Sequence, residues 1–378
     1  MTSARAVALE ALEAVDNGAF SNLMLPKLLD ASDLERRDRD FATAMTYGTI
    51  RMRRAVDHVI DSLVDRPLEP AVRNLLRLGA YQLKWLEVPP HAAVSEMVDM
   101  TPHRARGLVN AVLRKISNRH VAWPDLATEL SYPDWIFERL ETDLGSADAT
   151  EALRRMNDAP PVSVRSDGYF QDLASQWVAD AVREHVPDDA LVFDACAAPG
   201  GKATAVASGT GRTVIASDLQ PHRVRLIAQN TRNLGATNVA PMVADGKKPP
   251  LRPGSVDAVL LDAPCSGLGA LRRRPDARWR IQPQDVVNLS RLQQRLVERT
   301  SEALRPGGLL AYSACTMTAA ETLEIDQWAA EEFPHLEPLA ALPPPWRPLG
   351  RGSLLLPQDA DTDGMYLLLL RAPEAGTV

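Results

Sequence analysis

The chain has 378 residues, 45% of them hydrophobic and 24% charged, with a formal net charge of −7. That length suits two domains, each with a sizeable core, and the acidic balance excludes a wholesale polyanion binder, so any nucleic-acid contact must come from local basic patches. Three cysteines without paired spacing provide neither a disulfide framework nor a zinc motif, which implies a reducing, cytoplasmic setting and no metal site.

The first segment, MTSARAVALEALEAVD, carries Glu10, Glu13 and Asp16 where a signal peptide would need an apolar core. Aliphatic runs such as Leu367–Leu370 are too short to span a bilayer, so no membrane partner is expected. Ala8, Leu12 and Val15 share one helical face, and Gly18 follows as a stop. Helical spacing continues through Phe41 and Met45, then through Val56, Val59, Ile60 and Leu63. Residues 71–86 form another amphipathic pattern that ends at Pro89-Pro90, and a last one runs through Leu108, Val112 and Ile116. Residues 1–118 are therefore expected to form an all-α domain.

Residues 119–169 read as a connector, with a short extended piece at 162–165 and a helix near 171–185 leading onward. From 170 to 378 the texture becomes α/β. Apolar runs at 191–197, 213–218, 256–264, 308–315 and 365–372 alternate with helical or Gly/Pro-containing stretches. Such runs predict a largely parallel sheet buried on both faces. Ligands of such sheets bind at the carboxyl ends of the strands. The Pro-rich stretch 343–348 reads as a surface loop.

Residues 194–203, DACAAPGGKA, have the form strand, Gly-rich turn, helix. Asp194 closes the strand, Pro199, Gly200 and Gly201 make the turn, and Lys202 opens the helix. Glycines let the backbone approach a ligand closely. Asp218 ends the next strand, 24 residues after Asp194, where sheets of this kind set a carboxylate against ribose hydroxyls. Asp245, in a VADG turn, is placed to reach an adenine edge. Any one of these acids could be a simple cap; three at successive strand ends point to a cofactor. The pattern fits either NAD or S-adenosylmethionine. The absence of GxGxxG counts against the dinucleotide, and a cationic sulfonium suits an acid-lined pocket.

LLDAPCSGLG (260–269) and YSACTM (312–317) bring Asp262, Cys265 and Cys315 to two further strand ends. Free cysteine is often a buried small hydrophobe, yet these two stand beside polar residues at ligand-binding positions. Carbon 5 of cytosine is a poor nucleophile until a thiolate adds to carbon 6. Cys315 is read as that thiolate, Asp262 as the acid partner at the base, and Cys265 as the residue assisting elimination. Cys196 is read as packing or as offering its backbone to the cofactor.

DACAAPGGK, LLDAPCSGLG, LRRRPDARWR and YSACTM together resemble the RNA cytosine-5 methyltransferases of the Nol–Nop–Sun family, and most nearly its bacterial RsmB/Sun branch. The ending TDGMYLLLLR also resembles that family, with Met365 where an aromatic is usual. Segments 35–54, 73–83, 89–100 and 106–115 resemble the NusB-like helical domain of this branch. The resemblance implies an α/β fold, a Rossmann-like S-adenosylmethionine-dependent methyltransferase sheet preceded by an all-α NusB-like, RNA-binding domain. It implies that Cys196, Ala197, Ala198, Pro199, Gly200, Gly201, Lys202, Asp218, Asp245 and Asp262 line the S-adenosylmethionine pocket, with Cys315 the nucleophile. The implied substrate is a cytosine of 16S ribosomal RNA, and a monomer is expected.

One departure bears on the target. PPVSVR (160–165) runs almost directly into DGYFQDLASQWV (167–178), where similar proteins carry an RNA-binding subdomain, and a smaller gap falls at 100–104. The same chemistry on transfer RNA or another RNA therefore stays open, as does a NusB-like antitermination protein with an inactive methyltransferase fold. Residues 271–280 hold five arginines against one acid, and are expected to grip phosphates, with Trp279 stacking on a base. Arg51, Arg53, Arg54, Arg104, Arg106, Arg114 and Lys115 offer a second basic face.

Overall fold

The computed structural model describes residues 3–376, which divide into two units. The first comprises residues up to Glu141, Ala149–Ala159 and Leu271–Arg280; the second comprises Thr142–Asp148, Pro160–Ala270 and the residues from Ile281 onward.

The first unit is helical. Its helices begin with α1 (Ala4–Asp16), α2 (Ser21–Asp30), α3 (Arg36–Arg51) and α4 (Arg53–Asp61). They continue with α5 (Pro70–Lys84), α6 (Pro90–Met100) and α7 (Arg106–Ser117). Ser3 caps α1 by accepting a hydrogen bond from the Ala6 amide at 3.1 Å. The stripe Ala4, Val7, Ala8, Ala11 and Leu12 is buried, and joins Met45, Val56, Leu76, Val109 and Ile116 in one core. Pro90 both follows the end of α5 and occupies the first turn of α6, where its missing N–H costs nothing. The connector read from sequence holds three further helices, α8 (Leu126–Glu129), α9 (Asp134–Leu144) and α10 (Ser146–Arg155).

The second unit is built on a mixed sheet. Helix α11 (Leu173–His185) precedes β1 (Leu191–Asp194), followed by α12 (Gly201–Ala207), β2 (Thr213–Asp218), α13 (Pro221–Asn233) and β3 (Val239–Val243). Then come β4 (Val256–Asp262), α14 (Pro283–Ser301), β5 (Leu304–Ala314) and α15 (Leu323–Glu332). The chain finishes with β6 (Glu337–Pro338), β7 (Arg347–Leu349), β8 (Gly352–Leu355), α16 (Pro357–Ala360) and β9 (Met365–Arg371). The sheet order is β3-β2-β1-β4-β5-β9-β8-β7, with β6 beside β9. Strands β1 to β5 are mutually parallel, and β9, β8 and β7 add antiparallel neighbours. The five apolar runs found in the sequence are β1, β2, β4, β5 and β9. The Pro-rich stretch expected as a loop instead enters the edge hairpin β7–β8.

Because β1 feeds β2 on one side and lies beside β4 on the other, strand order reverses at β1. In sheets of this order the ligand crevice lies there, at the carboxyl ends of the strands. Val192, Phe193, Val259, Leu260 and Leu310 are fully buried, so the sheet beneath that crevice is a rigid floor. Among the described residues no helix is long and apolar enough to cross a membrane.

Candidate active site

The register of the parallel strands brings the predicted residues together. Asp194 pairs with Ala216 of β2 and Leu260 of β4, Asp218 with Val243, and Asp262 with Ser313. Asp194, Asp218, Asp262 and, two residues past β3, Asp245 therefore stand along one edge of the sheet. The loop after β1 is held to this floor by the Ala195 amide donating to Leu260 O (3.0 Å) and the Ala197 amide donating to Ser217 O (2.8 Å). Gly200 turns the chain at φ +104°, and a side-chain carbon there would sit 3.3 Å from Ile227 Cγ2. Ala198 and Pro199 present carbonyls that accept from Arg223 (3.3 Å) and Asn230 (2.9 Å). Gly201 lies under Tyr169 and Gln171. Arg165 fixes that segment by donating to Gly201 O (2.5 Å) and Gln171 Oε1 (3.1 Å).

Each acid has its own surroundings. Asp194 is fully buried, and neither carboxylate oxygen has a hydrogen-bond partner. Burial, reinforced by the charge of Asp262, pushes its pKa up to about 8. Burial and then Asp194 also raise the Cys196 thiol, which stays protonated and is no nucleophile. Asp218 is buried, accepts from the Gln220 amide at 3.0 Å and pairs with Arg223 at 3.3 Å. Asp245 is half-buried and accepts from the Lys247 amide at 3.0 Å. Beside these two acids Leu219 and Val243 are each 53% exposed, leaving apolar surface open at the crevice.

Lys202 reaches across from the Gly-rich turn. Its Nζ lies 2.8 Å from Asp262 Oδ2 and 3.2 Å from Ser175 Oγ, while Ser313 Oγ donates to Asp262 Oδ1 at 2.9 Å. Burial alone would lower the Lys202 pKa; the charge and hydrogen bond of Asp262 outweigh it and hold the ammonium above its ordinary value. Cys265 Sγ and Cys315 Sγ stand 3.3 Å apart. The hydrogen bond to Cys315, followed by burial, raises the Cys265 pKa well above that of a free thiol. The loop after Cys265 is locked from below: the Gly269 amide donates to Cys315 O (3.0 Å) and the Gly364 amide to Gly269 O (2.9 Å).

Sequence reasoning missed the group that joins the two cysteine loops. Glu321 is fully buried. Its Oε1 accepts from the Ser266 amide (2.8 Å) and Gln293 Nε2 (3.0 Å); its Oε2 accepts from the Ser266 (2.5 Å), Thr316 (3.0 Å) and Thr318 (3.0 Å) hydroxyls. One carboxylate thus holds the residue after Cys265 and the residue after Cys315. The only signal in the sequence is an acid six residues past Cys315.

The arginine-rich segment differs from expectation. Residues 271–280 belong to the helical unit, and Arg272 and Arg278 are buried, not poised over a phosphate. Arg278 Nη1 donates to Arg51 O and Ser131 O, each at 3.2 Å, and its guanidinium lies 4.0 Å from the centre of the Tyr132 ring. Trp279 Nε1 donates to Ile50 O at 2.7 Å. These groups satisfy carbonyls at the end of α3 that have no partner within the helix. Of the expected second basic face, Arg51 is buried with them.

Comparison with known proteins places this arrangement. Residues 183–371 match the family described as 16S rRNA methyltransferase RsmB/F, and residues 2–118 match the NusB family. A Mycobacterium tuberculosis protein whose name calls it a putative methyltransferase is 36% identical, over 97% of this chain and 96% of its own length. The ribosomal RNA small subunit methyltransferase B of Thermus thermophilus is 33% identical, over 97% of each chain. The mycobacterial alignment runs over 444 positions, more than this chain contains, so that relative carries segments absent here. In the same fold, the crystal structure of PH0851 superposes with a TM-score of 0.77 at 21% identity, over 96% of this chain and 97% of that one. By these matches the chain belongs to the RsmB/F family of 16S ribosomal RNA methyltransferases and carries a NusB-family domain ahead of its methyltransferase unit.

Proposed function

We propose that this methyltransferase forms 5-methylcytosine in 16S ribosomal RNA through a transient bond between Cys315 and carbon 6 of the target base. The reading is carried by the two sulfurs 3.3 Å apart at the ends of neighbouring strands, beside the Lys202–Asp262 pair.

The crevice suits S-adenosylmethionine. Asp194 is an unbonded buried carboxyl, Gly200 and Gly201 let the turn pack tightly against Ile227, Tyr169 and Gln171, and Asp218, Asp245 and Asp262 make the rim acidic. When bound, this cofactor supplies an electrophilic methyl group. Asp218 is the partner for ribose hydroxyls, Asp245 for an adenine edge, and Leu219 and Val243 provide apolar cover. The segment from Cys196 through Lys202 lines the remainder.

The cytosine must leave its helix to enter such a site. As the Cys315 thiolate adds to carbon 6, Asp262 acts as the acid partner by relaying a proton from the Lys202 ammonium to ring nitrogen 3. The resulting enamine makes carbon 5 nucleophilic, and methyl transfer to it leaves one proton too many on that carbon. That proton departs to water, the C6–S electron pair returns to Cys315, and nitrogen 3 gives its proton back to Asp262. Cys265, kept as a thiol by its surroundings, donates to the departing sulfur and lowers the cost of that cleavage.

A second target reading has its own support. Segment 164–170 closes in a tight turn, with Val164 bridged to Phe170 and Gly168 at φ +84°. No subdomain stands between them. The test is methyl transfer by purified protein to 16S RNA, 30S particles and total transfer RNA, with the product mapped by bisulfite sequencing. A single new 5-methylcytosine in 16S RNA is the expected result. Methylation of transfer RNA alone would move the target, and methyl groups found only away from carbon 5 would overturn the chemistry.

A further inference from the structure

With Arg272 and Arg278 engaged by backbone carbonyls of the helical unit, the methyltransferase unit needs another means of holding a polyanionic substrate. One side of α14 carries a row of positive charge. The inner face of that helix is fastened to the cysteine loops: Ser290 Oγ donates to Ala320 O (2.7 Å), and Gln293 Nε2 donates to Pro264 O (2.9 Å). The outer face carries Arg291, Arg295 and Arg299, one every four residues and all exposed. At the helical rise, each step advances about 6 Å.

The loop after β3 faces this row with Lys247 and Lys248. Together they border a hollow of about 400 Å³ lined by Asp245, Lys247, Lys248, Arg295, Glu298 and Arg299. A second hollow of about 340 Å³ continues past Lys248 and Arg299 toward Leu251. Arg299 is engaged by Glu302 (3.1 Å) and Glu298 (3.6 Å), and Lys247 by Asp245 (3.7 Å). Among the described residues Lys248, Arg291 and Arg295 have no ion-pair partner. Lys248 and Arg295 share one hollow, and Arg291 lies one turn before Arg295 on the same helix face, on a protein of net charge −7. Their row starts beside the helix face that braces Pro264, and their hollow starts at Asp245.

We infer that Lys248, Arg291 and Arg295 form a phosphate track for the RNA strand flanking the target base, an inference that rests on the RNA methyltransferase reading above. A run of phosphodiesters satisfies all three cations at once, and its route would bring the strand to the loop that must hold the flipped base.

The test compares the wild-type protein with Lys248→Gln/Arg291→Gln/Arg295→Gln, using 16S RNA that the wild type methylates. Each lost phosphate contact on a single strand should flatten the plot of log affinity against log salt by about 0.7, so by roughly 2 in total. At about 0.1 M salt this predicts a KM for RNA raised on the order of tenfold to a hundredfold. The rate at saturating RNA and the affinity for S-adenosylmethionine should hold. Arg225→Gln/Arg232→Gln, which removes exposed charge from α13, controls for net charge and should leave the RNA affinity as it was. Equal weakening by that control, or an unchanged KM and salt slope in the triple variant, would overturn the track while leaving the methyltransferase reading intact. Failure of the wild type itself to methylate any RNA would remove both.

Discussion

Cys265 Sγ approaches Cys315 Sγ to 3.3 Å although 50 residues separate them. The cause is the register of β4 against β5, which sets Asp262 beside Ser313 and so carries the two following loops out of the sheet together. Two thiols that close can act in sequence on one base. Cys315→Ala should lower methyl transfer by at least about a thousandfold, the scale seen on removing a nucleophile, while S-adenosylmethionine still binds by calorimetry. Cys265→Ser should instead trap a protein–RNA adduct that survives denaturing electrophoresis. Full turnover in the first variant would take the nucleophile's role from Cys315; no adduct in the second would take elimination from Cys265.

Glu321 should matter to this pair without touching the base. Its two oxygens accept from the residues that follow each cysteine. Glu321→Gln turns one oxygen into a donor that faces hydroxyls and amides already donating. The expected cost is about 2–3 kcal/mol, for a buried network left part-satisfied. Methyl transfer should fall with kcat rather than KM, and Glu321→Gln/Cys265→Ser should trap less adduct than Cys265→Ser alone. An undiminished adduct yield would show that the network does not position the sulfurs.

Arg278 predicts a stability effect. Its guanidinium is fully buried among carbonyls and the Tyr132 ring, and burial lowers its pKa to about 10. Arg278→Met leaves Arg51 O and Ser131 O without this donor, at about 1.5–3 kcal/mol for a hydrogen bond to a charged group. Arg274, exposed in the same segment, should change stability by less than about 0.5 kcal/mol when replaced by alanine. Denaturant midpoints for the two variants decide this; equal midpoints would contradict the burial argument.

The same arginines mark where the sequence misleads. A run of five arginines reads as a solvated, anion-seeking loop, because nothing local reveals which backbone carbonyls are waiting for donors. Those carbonyls belong to α3, more than two hundred residues away. Strand β3 is hidden for a different reason. It lies at the sheet edge, mostly exposed and interrupted by Pro241, so it lacks the apolar run of a central strand. The central strands are legible because burial on both faces forces continuous Val, Leu and Ala. Asp194, Asp218, Asp262 and the cysteines are legible because each closes or follows such a strand, whereas Asp245 shows only through its VADG turn. Glu321 is not legible, since its four partner residues come from three separate segments and no spacing rule links them.

Asp194 yields a prediction in pH. In the folded protein its pKa is raised from 3.8 to about 8, first by burial and then by Asp262. Between those values the folded state keeps a proton that the unfolded chain has released. This contribution to stability is fully present below the unfolded pKa and is lost as pH rises toward 8. The slope is at most about 1.4 kcal/mol per pH unit. Asp194→Asn keeps the shape and has no proton to lose. Without bound cofactor, the variant should therefore gain on the wild type steadily from about pH 5 to pH 8, and hold a constant lead above that. Thermal midpoints measured across this range test it. A gap that stays the same from pH 5 to pH 9 would mean that Asp194 is ionised in the folded protein, and that the crevice already supplies this carboxylate with a partner before any sulfonium arrives.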